Sequence, residues 1–458
     1  MIHNDRVKQI LEHNTKNKGK FILYWMQQSM RIQYNHALNY AIELANKKRL
    51  PLIVWFNILP NYPEANLRHY TFMLEGLKEI QEDCCKENIH FELSIGKLTD
   101  NIKPYLEDVD TIIMDRGYLK PQRHMRNEVY KIIKDTYVID IIQVESDLII
   151  PVEALYPKAA YGAYVIRSKV MEKLHQYMDY KELSRLDNLS KIQIHEPLNL
   201  SNIADIVNKL PIDISVKPYH KFKGGRKEAY KHLEYFFNQL LKDYDKRSDP
   251  ALHIQPYMSM YLQFGQVSDQ EILRMLYDHP YYKLYPEMSE GFIEQLVVRR
   301  SLAYNFVTYI KDYDRFEYMT EAWAYETMHE HDKDIRNHIY SLDEIEFSKT
   351  HDIYFNAAMK EARITGFMAN YLRMYWAKKI MEWSGSMKDA YQIIVHLNNK
   401  YFIDGRNPNS YGNIAWNFGK HDRAWQERAI FGKLRYMNEQ GLIRKFDMKS
   451  YLEYVNKL

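Results

Sequence analysis

The sequence predicts a two-part chain: an N-terminal α/β half built on a doubly wound parallel sheet, and an all-α C-terminal half. Short apolar runs alternate with helix-period segments as far as Val144, and strand-like runs disappear after Gly225. Four of the seven tryptophans, Trp376, Trp383, Trp416 and Trp425, crowd among arginines within fifty residues of one another. Large aromatics beside guanidinium groups suit a pocket that stacks a flat cofactor or base and meets phosphates.

Taken in order, Phe21 to Trp25 (FILYW) reads as a buried strand, followed by Ala37, Leu38, Ala41 and Leu44 at helical spacing. Leu52 to Phe56 is a second strand. Leu67 to Lys86 repeats apolar residues at three- and four-residue steps, a helix. His90 to Ile95, Thr111 to Met114 and Val138 to Val144 are further strands, and the alternation implies parallel pairing. The first strand-to-helix turn, Trp25 to Arg31 (WMQQSMR), has no GxGxxG and no P-loop, which argues against NAD.

From Gln193 to Pro218 the pattern weakens and Pro, Asn, Asp and Ser collect, as in a linker. Lys217 to His232 is basic, with Gly224-Gly225 before a helical run; it reads either as a solvated helix start or as a phosphate-facing patch. Helical runs follow at 225–243, 268–277, 290–311, 319–330, 352–382 and 386–399, with breaks at Asp249-Pro250, His279-Pro280 and Ser384-Gly385. The expected division is 1–192 for the α/β domain, 193–224 for the linker and 225–458 for the helical domain.

The chain has 458 residues, 46% hydrophobic and 27% charged, ordinary values for a globular protein of two or three domains. A net charge of +3 is too small to imply a polyanionic partner by itself. The two cysteines, Cys84 and Cys85, are adjacent, so neither a disulfide framework nor a CxxC metal site is available, and a reducing cytoplasm is expected. The start lacks a secretory apolar core, and no run of eighteen apolar residues follows, so no membrane span is expected. Hydrolase signatures of the GxSxG and HExxH kinds are missing, and His329-Glu330-His331-Asp332 reads as a solvated acidic turn rather than a metal box.

Five blocks carry a resemblance: SMYLQFGQVS (Ser259 to Ser268), FIEQLVVRRSLAYNF (Phe292 to Phe306), THDIYFNAAM (Thr350 to Met359), LRMYWAKKIMEW (Leu372 to Trp383) and HDRAWQERAIFGKLRYM (His421 to Met437). In order and spacing they resemble the class II cyclobutane pyrimidine dimer photolyases, and LRHYTFMLEGL (Leu67 to Leu77) extends the likeness into the N-terminal half. The resemblance implies the photolyase/cryptochrome fold, with an antenna domain and a helical domain holding bent FAD, active when reduced. It implies damaged DNA as partner, with the dimer swung out of the duplex, and electron transfer from the light-excited flavin as the chemistry. An optional deazaflavin antenna, a monomeric state and a cytoplasmic setting complete the expectation.

The same resemblance assigns residues. Asn398 matches the asparagine that faces the flavin N5, and Arg373 and Asp404 match residues at the ring edge and ribityl chain. Tyr244, Ser259, Met260, Leu262, Arg299 and Asn407 fall in flavin-surrounding segments, while Met374 and Trp416 match the walls against which the dimer packs. Arg247 resembles the arginine that enters the gap left by the flipped bases; Arg423, Arg428 and Arg435, with Lys420 and Lys433, form a basic tract suited to phosphates. Trp376 and Trp383 match the inner and peripheral members of the tryptophan relay that refills the flavin, but Phe355 stands at the middle position. Gln295 replaces the glutamate that meets the dimer carbonyl, Asn407 an aspartate, and Met260 a proline. These departures motivate the rival expectation of a light-sensing or DNA-binding flavoprotein of the same fold without efficient repair.

Overall fold

The computed structural model describes residues 2–13, 19–180 and 182–458. Six strands form one sheet: β1 (Val7–Leu11), β2 (Phe21–Trp25), β3 (Leu52–Ile58), β4 (His90–Ile95), β5 (Val109–Asp115) and β6 (Asp140–Val144), in the order β1-β6-β5-β2-β3-β4. Pairings among β2 to β6 are parallel, and β1 adds antiparallel to β6 at one edge. Every residue of β2 and β5 is buried, as expected of strands covered on both faces. The edge strand β1 is a finding beyond the sequence reading; VKQIL has little alternation and is half exposed. Because β2 lies between β5 and β3, the order reverses there, and the crevice above its C-terminal end is the natural ligand position of such a sheet.

The helical half begins at Arg226–Tyr235. The run expected as one helix from 352 to 382 is two, Ile353–Thr365 and Asn370–Trp383, because Gly366 takes a left-handed φ of +76° at the first helix's end. The stretch after Tyr401, rich in Gly, Asn and Pro, contains a helix, Pro408–Asn417, in which Asn407 caps the N-terminus and Pro408 occupies the first turn.

Buried polar groups join the halves. Arg300 donates to the Asp147 carboxylate at 2.6 Å and lies 3.6 Å from that of Asp269. Arg68, in the helix Leu67–Lys86, donates to the carbonyls of Lys217, Ala362, Arg363, Ile364 and Tyr401, so it caps the C-terminal turn of Ile353–Thr365 from the other half. At Gly265 a Cβ would sit 1.9 Å from the Gln28 carbonyl oxygen, so only glycine lets these two backbones meet.

Candidate active site

A cavity of about 480 Å³ opens within the helical half, inside the range of small-molecule and cofactor sites. Its walls follow from helical periodicity. Phe292, Gln295, Leu296, Arg299 and Arg300 share one face of a continuous run that passes through a wide π turn, Glu294–Arg299. Asn370, Arg373, Met374 and Ala377 face it from the helix Asn370–Trp383, and Asn409, Asn413 and Asn417 recur every fourth residue along Pro408–Asn417. Met258, Ser259 and Leu262 close one side.

The polar groups are arranged in pairs with free ends. Arg373 meets Asp404 through two hydrogen bonds of 3.0 and 3.2 Å, and its guanidinium carbon lies 4.1 Å from the Phe402 ring centroid. Asn398 donates to Asn399 at 3.1 Å, while Asn407 donates to Gln263 and accepts from the Asn409 N–H at 2.8 Å. Arg300 Nη1, Trp376 Nε1 and Asn417 Oδ1 are buried, belong to residues lining the cavity, and have no hydrogen-bond partner among the described residues. Buried polar atoms are rarely left so, and here they suit an elongated polar ligand.

Of the residues singled out in the sequence, the cavity brings together Asn398, Trp376, Gln295, Tyr244, Ser259, Leu262, Arg299, Arg373, Asp404, Asn407, Arg247, Met374 and Trp416. Met260 lies outside its lining: one step round the helix from Ser259, it is buried in the core. Trp383 also lies outside, against Phe355, Tyr340 and His351 with ring centroids 5.0 to 5.3 Å away. Arg423 and Arg428 are exposed and rest over Trp425 and Tyr436. Arg435 is committed elsewhere than expected: Asp422 accepts from it at 3.0 and 3.2 Å, and its guanidinium lies between the rings of Trp416 and Trp425, 4.9 and 4.1 Å from their centroids. It is a clamp on the Trp416 wall.

Sequence reasoning missed Arg300, the asparagine row and Tyr257, which also lines the cavity. The spacing of Asn409, Asn413 and Asn417 was a usable signal; nothing in the Arg299-Arg300 doublet says that both residues line the cavity.

A second cavity, about 120 Å³, lies at the C-terminal ends of β2 and β3, lined by Trp25, Phe56, Tyr62, Tyr70 and the methionines 26, 30, 73 and 125. A row of amides separates it from the larger one: Gln122 donates to Gln28, Gln28 to the Gln263 carbonyl at 3.0 Å, and Asn407 to the Gln263 side chain.

The chain is 37% identical, over its whole length and 99% of the relative's, to the deoxyribodipyrimidine photo-lyase of Methanothermobacter thermautotrophicus. The chain belongs to the DNA photolyase family. The photo-lyase of Potorous tridactylus is 35% identical over 98% of this chain and 84% of its own, and the family model described as DNA photolyase matches residues 22–186. The photolyase fold extends to distant structures: the archaeal photolyase from Sulfolobus tokodaii, solved with two FAD molecules, superposes with a TM-score of 0.71 at 16% identity, over 94% of this chain and 89% of that one. Among the described residues no helix is long and apolar enough to cross a membrane, and no cluster of His, Cys, Asp or Glu has the form of a metal site.

Proposed function

We propose that this photolyase-family chain repairs cyclobutane pyrimidine dimers in DNA, using FAD and light, and that it is of class II. The observation that carries the reading is the larger cavity: its volume, its unpartnered buried Arg300 Nη1 and Trp376 Nε1, and its Arg373–Asp404 pair suit FAD, while Trp416 and Met374 add an apolar wall. The kinship with photo-lyases along the entire chain supports it, and the five sequence blocks support the class. When bound, reduced FAD supplies the electron that light drives into the dimer.

The chain's own residues then have distinct tasks. Tyr244, Ser259, Leu262, Arg299, Arg373, Asp404 and Asn407 hold the cofactor, and Asn398 offers its amide to the ring. Arg373, neutralised by Asp404, brings hydrogen-bonding direction without a net charge. Gln295 can donate to a dimer carbonyl but carries no proton to give. Arg247 lies over Tyr244 at 4.9 Å, donates to the Tyr244 carbonyl at 3.3 Å and has no acidic partner among the described residues, so its charge is available to the DNA. We also propose the division 1–192, 193–224 and 225–458, a monomeric state, and a deazaflavin antenna in the smaller cavity, whose flexible methionines must shift to admit three rings.

Purified, chemically reduced protein irradiated with blue light should remove dimers from DNA. A flavin-bearing protein that leaves them intact would favour the sensor reading, which Phe355 and Gln295 motivate; a protein that takes up no flavin would end both.

A further inference from the structure

One segment of the α/β half is tied to the helical half at three points, one of them a chain of ion pairs that ends on the cavity-lining Arg299. Asn305, 1% exposed, fixes residues 156–160: its Oδ1 accepts from the Ala160 N–H at 2.8 Å, and its Nδ2 donates to the carbonyls of Lys158 at 2.8 Å and Tyr156 at 3.3 Å. His421, four residues beyond the helix that bears Trp416, donates from Nδ1 to the Tyr161 carbonyl at 3.0 Å. Burial lowers the His421 pKa to about 4, so at neutral pH the ring is uncharged and holds its proton on Nδ1 for this bond. In the helix Ala163–Tyr177, Arg167 pairs with Glu294 at 2.8 Å, and Glu294 pairs with the cavity-lining Arg299 at 2.9 Å.

Despite this anchoring, the segment presents bare aromatic surface. Tyr161 and Tyr164 are 62% and 63% exposed, and neither hydroxyl has a protein partner among the described residues. Their neighbours Ala159, Ala160, Gly162 and Ala163 are small, so nothing screens the rings. Lys158 and, on the facing C-terminal loop, Arg423 have no acidic partner among the described residues; each rests over an aromatic ring. Exposed aromatics on a fixed backbone, flanked by uncompensated cations, are the composition of a nucleic-acid surface.

We propose that the segment 156–164 is a DNA contact supplied by the α/β half, with Tyr161 and Tyr164 packing on sugar and base faces beside the dimer and Lys158 and Arg423 meeting phosphates. It rests on the dimer-repair reading above. The solvated alternative, a loop that merely covers the sheet, explains the Asn305 anchor but not two unscreened tyrosine rings flanked by cations without acidic partners among the described residues.

The test uses the full chain loaded with FAD and fluorescence anisotropy. Wild type and Tyr161→Ala/Tyr164→Ala are titrated with a duplex of about twenty base pairs carrying one thymine dimer, and with the same dimer in a single strand of about four nucleotides. The double variant should bind the duplex about tenfold more weakly and the short strand as wild type does, with unchanged flavin absorbance and melting temperature. A separate Lys158→Glu/Arg423→Glu variant should weaken duplex binding and make its salt dependence shallower. Unchanged duplex affinity in the tyrosine variant, or equal weakening on both substrates, overturns the proposal. If wild type fails to distinguish dimer-bearing from intact duplex, the repair reading falls and takes this contact with it.

Discussion

Trp416 shows how one side chain is positioned by others behind it. Arg435 backs its ring and packs in turn on Trp425, Asp422 fixes the arginine, and Lys378 donates to the Asn417 carbonyl next along the chain. Replacing Trp416 with alanine should cost about 1–3 kcal/mol of dimer discrimination in a binding titration while leaving flavin content intact. Lys378 is wholly buried, and burial depresses its pKa to about 7, opposed by the charge of Asp422. Its folded pKa lies below the unfolded value, so its stability contribution is complete above about pH 10.5 and is lost as pH falls toward 7. Glu361, buried and bonded by the Tyr451 hydroxyl at 2.6 Å, has its pKa raised by burial to about 7; stability is greatest below its unfolded value and is lost as pH rises through 7. Urea titrations should therefore find Glu361→Gln gaining on wild type between pH 5 and 7.5, and Lys378→Met gaining as pH falls from 10 to 7. Each gain should reach a few kcal/mol, because a tenfold change in proton affinity on folding is worth about 1.4 kcal/mol. Phe355 is buried against Trp383, so Phe355→Trp should speed photoreduction of bound flavin, followed by absorbance; an unchanged rate would remove the interrupted relay.

At the scale of elements, five strands were legible because apolar runs such as FILYW and LIVWF have no polar interruptions. Element ends were less so. Apolar spacing runs on across Gly366, whose left-handed backbone splits the expected 352–382 helix, and a Cβ there would sit 2.7 Å from Ile403 and 3.1 Å from Arg68. Gly366→Ala should accordingly destabilise the chain by about 1–3 kcal/mol in thermal or urea unfolding. Pro408 starts a helix rather than ending one, since a proline in a helix's first turn forfeits no bond. Most of the candidate site was legible through blocks of sequence, yet inward or outward facing was not: Ser259 and Met260 are neighbours in the chain and point opposite ways, and Arg435 is drawn off by Asp422, a partner no local pattern reveals.

For the whole molecule, the two halves are completed by each other. Asp147 and Asp269 neutralise Arg300 beside the large cavity, and breaking a buried ion pair from one side leaves a charge uncompensated. Asp147→Ala should lower stability by about 3–5 kcal/mol and weaken flavin retention, read by gel filtration with absorbance.

Arg68 makes the dependence literal, because the final turn of Ile353–Thr365 is finished by a side chain some three hundred residues earlier. Severing the surface stretch at 182–202, which carries neither helix nor strand, would give two fragments, each with an open socket shaped for the other. Neither piece is a module that evolution could lend to another protein unaltered; each carries the missing half of its neighbour's wiring.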